Sequence, residues 1–203
     1  MEPLDSKSDP LRRDWKITRE DREKKNGHPA AVLWLTGYSG AGKTTISKLL
    51  ENNLFNSGYR TVLLDGDPLR YGLCRDLGFS EKDRQENIRR AGEVARLFFE
   101  AGHIVICAFI SPFIRDRRLV RSLFPERRFF EIHVKCELKT CIQRDPRGLY
   151  KKALAGEIAE FTGISSPYEE PPAPELVVET DRQTVEQIGD LILGRLKQEK
   201  IIR

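Results

Sequence analysis

At 203 residues, the chain has the length of a single domain, and its 33% charged and 39% hydrophobic residues are ordinary proportions for a globular protein. The net charge of +4 suits small anionic ligands but falls short of the basic excess typical of nucleic-acid-binding proteins, so we expect no nucleic-acid partner. No run approaches about 18 apolar residues, which excludes a membrane-spanning helix. The four cysteines form no C-x-x-C pair, so we expect neither a zinc site nor a disulfide framework, and a reducing, cytoplasmic location.

Residues 1–29 carry dense charge of both signs and few apolar side chains. They are predicted to form a mobile or surface-draped arm, because such a segment cannot bury enough apolar surface to join a core. Trp15 is the exception, since a large aromatic side chain in a polar arm usually packs on something. Residues 30–203 are then one domain.

The first elements of this domain surround a phosphate-binding motif. An apolar run from Ala31 to Thr36 predicts a buried strand, and the stretch from Thr45 to Leu54 predicts a helix. Between them, residues 37–44 read G-x-x-x-x-G-K-S/T, whose glycines let several backbone N–H groups point at one anion. Lys43 can then reach the β- and γ-phosphates of a nucleoside triphosphate, and the Thr44 hydroxyl can ligate Mg²⁺. The residues predicted to bind this triphosphate are Gly37, Tyr38, Ser39, Gly40, Ala41, Gly42, Lys43, Thr44 and Thr45.

A second apolar run, Thr61 to Leu64, ends in Asp65-Gly66-Asp67. Ligands of open α/β sheets gather beyond the carboxyl ends of the strands, so these carboxylates are predicted to join Thr44 in the Mg²⁺ site. One of them would also take the proton of an acceptor hydroxyl. Which one is the base stays open, because two carboxylates on one cation are strongly coupled. The alternative is that both only cap the next helix.

A long helix is predicted to begin after Ser80 and to end at Gly102. Its first turns are polar, and Arg84 and Asn87 lie three residues apart and share one face. This pair could hold a phosphate or sulfate group and a sugar hydroxyl. The alternative is a solvated charged face without a ligand.

A third strand, Ile104 to Ile110, is predicted to end at Ser111-Pro112, and a basic helix, Ile114 to Leu123, follows. Because the arginines of this helix cover more than one face, we expect most of them to be solvated. They are Arg115, Arg117, Arg118 and Arg121.

A fourth strand, Phe129 to Val134, and a short helix precede a polar region at about 145–165, which we interpret as a lid over phosphates. Leu176 to Glu179 is predicted to be a fifth strand and Val185 to Leu196 a closing helix. This alternation predicts an α/β fold of the P-loop NTPase type. Its doubly wound sheet is mostly parallel, with about five strands and helices on both faces.

Several sequence blocks together resemble adenylylsulfate kinase. Besides the phosphate loop and Asp65-Gly66-Asp67, the matching blocks are residues 75–80, 86–90, 108–113, 144–152, 156–158, 161–164 and 166–169. They occur in order from about residue 15 to the last strand, and the later blocks distinguish this family from other P-loop kinases. After the aspartates, the chain keeps Arg70 but departs from the usual family text at Pro68, Tyr71 and Cys74.

The resemblance implies an ATP-dependent kinase that transfers the γ-phosphoryl group to the 3′-hydroxyl of adenosine 5′-phosphosulfate, a step of sulfate activation. It implies Mg²⁺ as cofactor with ATP, Lys43, Asp65 and Asp67 as catalytic residues, and a homodimer, in which Trp15 and Arg19 of the arm could reach the partner or the substrate. The substrate-binding residues that it implies are Asp67, Arg70, Phe79, Arg84, Asn87, Ile110, Ser111, Lys151 and Phe161.

The resemblance also implies particular roles for Phe79 and Phe161 and for Ser111. Phe79 and Phe161 would sandwich the adenine of the acceptor. In some family members, the serine that matches Ser111 is described as a phosphoserine intermediate. We favour direct in-line transfer, because positioning and charge neutralisation suffice for a loose transition state. Ser111 is then a substrate contact that can become phosphorylated.

Other functions remain open at this stage. The chain could be a P-loop kinase for another small hydroxyl acceptor, in which case Phe79 and Phe161 have no paired role. It could also be a nucleotide-binding protein without catalysis, although Lys43, Asp65 and Asp67 are all present. A nucleic-acid 5′-kinase is disfavoured, because the basic residues are interleaved with acidic ones.

Overall fold

The computed structural model describes residues 16–203, so the prediction for Trp15 concerns a residue outside this range. Within the predicted arm, Arg19–Asn26 forms helix α1. The helix lies on the domain, since Asn26 Nδ2 donates a 2.9 Å hydrogen bond to the carbonyl oxygen of Gly102 and the Arg19 guanidinium lies 4.8 Å from the centre of the Phe99 ring. The described part of the arm therefore packs on the surface of the domain.

Five strands form one sheet in the order β2-β3-β1-β4-β5, and every strand pair of the described chain is parallel. The strands are β1 (Ala31–Thr36), β2 (Thr61–Asp65), β3 (Ile104–Ala108), β4 (Phe129–Lys135) and β5 (Leu176–Glu179). The central strand β1 is buried along its whole length, as its unbroken apolar sequence predicts. The predicted sheet is confirmed.

Helices cover both faces of the sheet. After α1, the helices are α2 (Lys43–Asn56), α3 (Gly66–Tyr71), α4 (Glu81–Glu100), α5 (Ile114–Arg121), α6 (Leu138–Arg144), α7 (Leu149–Leu154) and α8 (Val185–Gln198). Leu33 and Leu35 of β1 belong to the core that α2 and α8 complete, whereas Val32 and Trp34 belong to the core under α4 and α5. This alternation follows from the two-residue period of a strand. None of the helices in residues 16–203 is long and apolar enough to cross a membrane.

Strand β3 is shorter than predicted. It ends at Ala108 rather than Ile110. The physical reason lies in the next residues: the carbonyl oxygen of Ile110 accepts a hydrogen bond from the Thr36 hydroxyl, and Ser111 has a φ of 39°. This left-handed backbone turns the chain away from the ladder.

Candidate active site

The phosphate loop lies between β1 and α2, at the carboxyl end of the central strand. Two of its glycines are required by geometry. A Cβ at Gly37 would collide with the carbonyl oxygen of Val134 on β4, and Gly42, which precedes α2, has a φ of 97°. The loop can therefore approach β4 closely and present its backbone N–H groups together with the start of α2 to an anion.

Lys43 is held inside this loop. Its Nζ donates hydrogen bonds to the carbonyl oxygens of Gly37 at 2.9 Å and Tyr38 at 2.7 Å. Burial lowers the pKa of Lys43 to about 8, and the nearby Cys141 and Asp65 offset part of this effect. The ammonium group of Lys43 thus lies inside the predicted phosphate loop, where carbonyl oxygens of the loop hold it.

The Thr44 hydroxyl donates a 2.6 Å hydrogen bond to Asp65 Oδ2. The other carboxylate oxygen of Asp65 accepts from the backbone N–H of Asp67 at 3.1 Å and so begins α3. Asp65 therefore caps a helix and also contacts the phosphate loop, and its part in a metal site stays a prediction.

These oxygen ligands fit Mg²⁺. Among residues 16–203, no three His, Cys, Asp or Glu side chains lie close enough to hold a metal ion by themselves. Mg²⁺ usually takes only one or two carboxylates and completes its shell with phosphate oxygens and water. The Thr44 hydroxyl and the Asp65 carboxylate form such a partial set beside a triphosphate loop.

The lid contributes a residue that the sequence interpretation did not name. Arg147 forms an ion pair with Asp67, and both side chains are about half exposed. The lid is also tied to the phosphate loop, because the Tyr150 hydroxyl donates a 3.0 Å hydrogen bond to the carbonyl oxygen of Ser39. Lys151 is exposed on α7. The signals for Arg147 in the sequence were the basic composition of this segment and its place in the family-like block 144–152.

Arg84 and Asn87 are among the residues predicted to bind the acceptor. Both are buried on α4, with 7% and 5% of their surfaces exposed. They are therefore not part of a solvated face. Arg84 donates from Nε to the carbonyl oxygen of Phe79 at 2.9 Å and from Nη2 to that of Glu160 at 2.7 Å. Burial lowers the pKa of Arg84, and the nearby charge of Arg70 adds to this effect. Asn87 Nδ2 is buried and has no hydrogen-bond partner within residues 16–203.

The two predicted aromatic residues have different environments. Phe79 is 52% exposed, and its ring centre lies 4.3 Å from the guanidinium of Arg70. Phe161 is buried and meets the Tyr150 ring edge-on at 5.0 Å. The guanidinium of Arg84 joins the two segments, because it bonds Phe79 and the residue before Phe161. Their joint contact with an adenine stays a prediction.

Ser111 lies in the turn that follows β3, with only 1% of its surface exposed. Its Oγ accepts a 3.1 Å hydrogen bond from Trp34 Nε1 and donates one of 2.9 Å to Thr36 Oγ1. Ile110 is partly exposed beside it. Ser111 is thus close to the predicted site, but its hydroxyl is occupied by protein partners.

The arginines of α5 need a correction. Arg115 and Arg118 are exposed as expected, but Arg117 is 2% exposed and the expectation is wrong for it. The reason is Glu131 on β4, whose carboxylate accepts a 2.7 Å hydrogen bond from Arg117 Nε. The sequence of α5 alone could not show this partner.

Comparisons with known proteins identify the family of the chain. The family model described as adenylylsulphate kinase matches residues 29–179. An adenylyl-sulfate kinase of Staphylococcus epidermidis is 51% identical over 189 residues, which is 93% of this chain and 95% of the relative.

Two solved structures are also similar. The Mycobacterium tuberculosis APS kinase in complex with AMPPNP and APS is 41% identical with a TM-score of 0.80, covering 84% of this chain and 99% of that one. A hexameric APS kinase from Thiobacillus denitrificans is 30% identical with a TM-score of 0.67, covering 91% of this chain and 32% of that one.

The family model covers well over half of the chain, and the Staphylococcus relative matches almost all of it. The predictions of family, fold and enzyme class from the sequence are confirmed. The chain belongs to the adenylylsulphate kinase family and is an ATP-dependent kinase with the fold of the P-loop NTPases.

Proposed function

We propose that the chain transfers the γ-phosphoryl group of ATP to the 3′-hydroxyl of adenosine 5′-phosphosulfate (APS) at the carboxyl ends of β1, β2 and β3. The observation that carries the proposal is the register of these strands. Asp65 pairs with Ala108 of β3, which in turn pairs with Leu35 of β1. The phosphate loop follows β1, Asp65 and Asp67 lie at the end of β2, and the turn at Ile110-Ser111 follows β3. These three segments therefore lie next to each other at one edge of the sheet.

In this proposal, Lys43 neutralises charge on the transferring phosphoryl group, and Thr44 and Asp65 hold Mg²⁺ together with the phosphates. When bound, Mg²⁺ would neutralise part of the negative charge of the phosphates. Asp67 would face the acceptor hydroxyl and accept its proton, because its side chain is about half exposed, whereas Asp65 is engaged with Thr44 and with the start of α3. The lid residue Arg147 lies next to Asp67.

We further propose that transfer is direct and that Ser111 contacts the acceptor without forming an intermediate. The Ser111 hydroxyl is buried between Trp34 and Thr36. A phosphoryl group on this oxygen would have to displace both partners and bring its charge into a buried position.

The acceptor would be held from several sides. Arg84 and Asn87 are proposed to bind the phosphosulfate and the ribose, which would give the unpaired Asn87 Nδ2 a partner. Arg70 and Lys151 would add positive charge around the phosphosulfate. The remaining acceptor residues are proposed to be Asp67, Phe79, Ile110, Ser111 and Phe161.

We also propose a homodimer and a cytoplasmic location. The homodimer is supported by the family resemblance, whereas the related Thiobacillus protein is described as a hexamer. Light scattering during size-exclusion chromatography at several concentrations distinguishes the two assemblies. The cytoplasmic location is supported by the four cysteines, all of which are buried free thiols.

The reaction is tested by mixing the protein with MgATP and APS and following ADP and 3′-phosphoadenosine 5′-phosphosulfate by chromatography. We expect equal amounts of both products. Lys43→Ala and Asp67→Ala should each reduce turnover by orders of magnitude, because charge stabilisation is the largest catalytic term. The exposed Lys48 of α2 provides the control, Lys48→Ala.

The alternatives predict other outcomes. Product formation with another hydroxyl acceptor but not with APS would identify a different small-molecule kinase. ATP binding without consumption in the presence of APS would indicate a binding protein without catalysis. Near-normal rates in both Lys43→Ala and Asp67→Ala would place the active site elsewhere.

A further inference from the structure

Arg117 on α5 lies behind the acceptor side of the site. Only 2% of its surface is exposed, and its guanidinium is engaged by three acceptors within the protein. Its Nε bonds Glu131 at 2.7 Å. Its Nη1 donates to the carbonyl oxygen of Ser111 at 2.6 Å, and its Nη2 donates to that of Glu169 at 2.7 Å. The side chain of Arg117 thus forms hydrogen bonds with β4, with the turn after β3 and with the segment before β5.

The bond to Ser111 supports a backbone conformation that residues with a side chain rarely adopt. The φ of Ser111 is 39°, in the left-handed region. Such a conformation persists only where the surrounding structure over-determines it. Here the carbonyl oxygen of Ser111 accepts from Arg117, and that of Ile110 accepts from the Thr36 hydroxyl at 2.8 Å. The placement of Ile110 and Ser111 therefore depends on hydrogen bonds from outside the turn.

The same arrangement occurs a second time at the border of the site. Glu160 has a φ of 54°, and its carbonyl oxygen accepts a 2.7 Å hydrogen bond from Nη2 of Arg84. Two buried arginines thus each hold the carbonyl group of a left-handed residue. The family resemblance makes Arg84 a substrate-binding residue, whereas Arg117 is covered on all sides and has no such role.

Glu131 fixes the direction of the Arg117 guanidinium. Glu131 lies on β4 directly beside Trp34 of β1, and its second carboxylate oxygen accepts a 3.2 Å hydrogen bond from Arg121. A planar guanidinium satisfies three acceptors in three set directions. The ammonium group of a lysine is a point charge on a flexible stem and cannot reproduce this geometry.

We propose that Arg117 is a positioning residue of the acceptor site. Its guanidinium holds Ser111 in the left-handed turn and keeps the segment at Glu169 beside it, and it thereby sets where the acceptor nucleotide lies. The inference rests on the proposed function, since it takes Ile110 and Ser111 as acceptor contacts. A purely structural arginine would alter stability without distinguishing between the two substrates.

The first test compares Arg117→Lys with Arg118→Lys, its exposed neighbour on α5. We expect Arg117→Lys to raise the KM for APS by about tenfold or more, as misplacement of a bound reactant does. The KM for MgATP should stay within about twofold of the wild-type value, because the phosphate loop is unchanged. Arg118→Lys should match the wild type. Equal changes in both KM values, or no change in a folded Arg117→Lys protein, would overturn the proposal.

The second test removes the buried pair completely. Replacing both partners of a buried ion pair by apolar residues is often neutral for stability, whereas removing one partner is costly. In the double variant Arg117→Met with Glu131→Leu, Arg121 keeps its bidentate partner Glu175. We expect the double variant to fold with a lowered melting temperature, because the carbonyl groups of Ser111 and Glu169 lose their donor, and to show a raised KM for APS. A stable double variant with a normal KM for APS would assign Arg117 to folding alone.

These outcomes stay separate from those of the proposed function. If the wild-type protein forms no product from APS, the proposed function fails before any variant is compared. If the wild type is active and Arg117→Lys is active with unchanged constants, only the positioning role fails. Failure of both the single and the double variant to fold would assign the pair to folding and overturn the inference.

Discussion

Thr44 and Asp65 lie 2.6 Å apart, hydroxyl oxygen to carboxylate oxygen, and this contact joins the start of α2 to the end of β2. A residue of the phosphate loop and a residue of the neighbouring acidic turn thus share one hydrogen bond. Because both oxygens are ligands suited to Mg²⁺, the contact brings the two proposed metal ligands together.

Replacing Asp65 by asparagine separates its two roles. The amide oxygen of Asp65→Asn can still accept from the Asp67 N–H and begin α3, so the free energy of unfolding should change by no more than about 1 kcal/mol. The charge at the metal position is lost, and we expect kcat/KM to fall by about 100-fold and the required Mg²⁺ concentration to rise.

The measurement is a Mg²⁺ titration of initial rates, together with thermal unfolding. Asp190→Asn is the control, since Asp190 is exposed on α8. An unchanged Mg²⁺ requirement in Asp65→Asn would remove Asp65 from the metal site.

Lys43 gives the free enzyme a pH dependence. Burial lowers its pKa to about 8, from 10.5 for an ordinary lysine. The protonated form binds the triphosphate, so affinity for MgATP should fall as the pH rises through about 8, approaching tenfold per pH unit above it. Bound phosphates stabilise the ammonium form, so the effect should appear in the KM for MgATP and not in kcat.

As the pH rises, the stability of the folded chain changes in the opposite direction to its affinity for MgATP. Between about pH 8 and 10.5, the unfolded chain binds more protons at Lys43 than the folded chain, so the contribution of this group to the free energy of unfolding rises with pH. Burial raises the pKa of the nearby Cys141 thiol to about 12, so this thiol does not titrate in the same window. Lys43→Met should lose both effects. A KM for MgATP that is constant from pH 7 to 9.5 would contradict the assignment.

Arg147 of the lid is expected to act on the reacting groups through its ion pair with Asp67. Because both side chains are about half exposed, removing the pair should change the free energy of unfolding by less than about 1 kcal/mol. In the proposed site, a cation beside Asp67 would also lie near the transferring phosphoryl group, so Arg147→Ala should reduce kcat/KM by roughly 10- to 100-fold. Lys152→Ala, at an exposed position of the same lid, is the control. Equal rates in the two variants would make the ion pair a surface contact only.

Much of this architecture could be predicted from the sequence. The apolar run before Gly37 and the acidic turn at Asp65 follow local rules, so the five strands and the phosphate loop were predicted close to their observed positions, whereas the metal ligands stay a prediction. Arg117 could not be predicted to be buried, because its partner Glu131 lies 14 residues away on another element. The end of β3 was predicted too late, since the left-handed backbone of Ser111 is supported by hydrogen bonds from Thr36 on β1 and Arg117 on α5.

Phe79 and Phe161 differ in burial, and this difference decides which variant tests adenine binding. Phe161 is part of the core, so Phe161→Ala should lower the free energy of unfolding by about 3–5 kcal/mol. This loss of stability could not be separated from an effect on adenine binding. Phe79 is 52% exposed. Phe79→Ala should leave stability nearly unchanged and weaken acceptor binding by about 1–3 kcal/mol, the range for stacking a base on an aromatic ring.

The measurement for Phe79 is the dissociation constant for APS by calorimetry in the presence of a non-hydrolysable ATP analogue. Phe55→Ala is the control, because Phe55 is 69% exposed on α2. Unaltered APS binding in Phe79→Ala would favour a kinase for a different acceptor.

Asn87 offers a test in which stability and activity move in opposite directions. Its Nδ2 is buried without a hydrogen-bond partner in residues 16–203, and an unpaired buried donor costs about 1–3 kcal/mol. Asn87→Leu replaces the amide by an apolar group of similar size, so the free energy of unfolding should stay the same or rise by up to about this amount. The acceptor loses a hydrogen bond, so the KM for APS should rise.

Gln85→Leu is the matched control for this variant, since Gln85 is exposed on the same helix and its replacement should change stability by less than about 0.5 kcal/mol. Chemical denaturation and steady-state kinetics on the same preparations measure both quantities. A polar group kept in a buried site at a cost to stability is expected where function requires it. An Asn87→Leu protein that is less stable but binds APS normally would show instead that Asn87 serves packing, and the acceptor site would then have to be built without it.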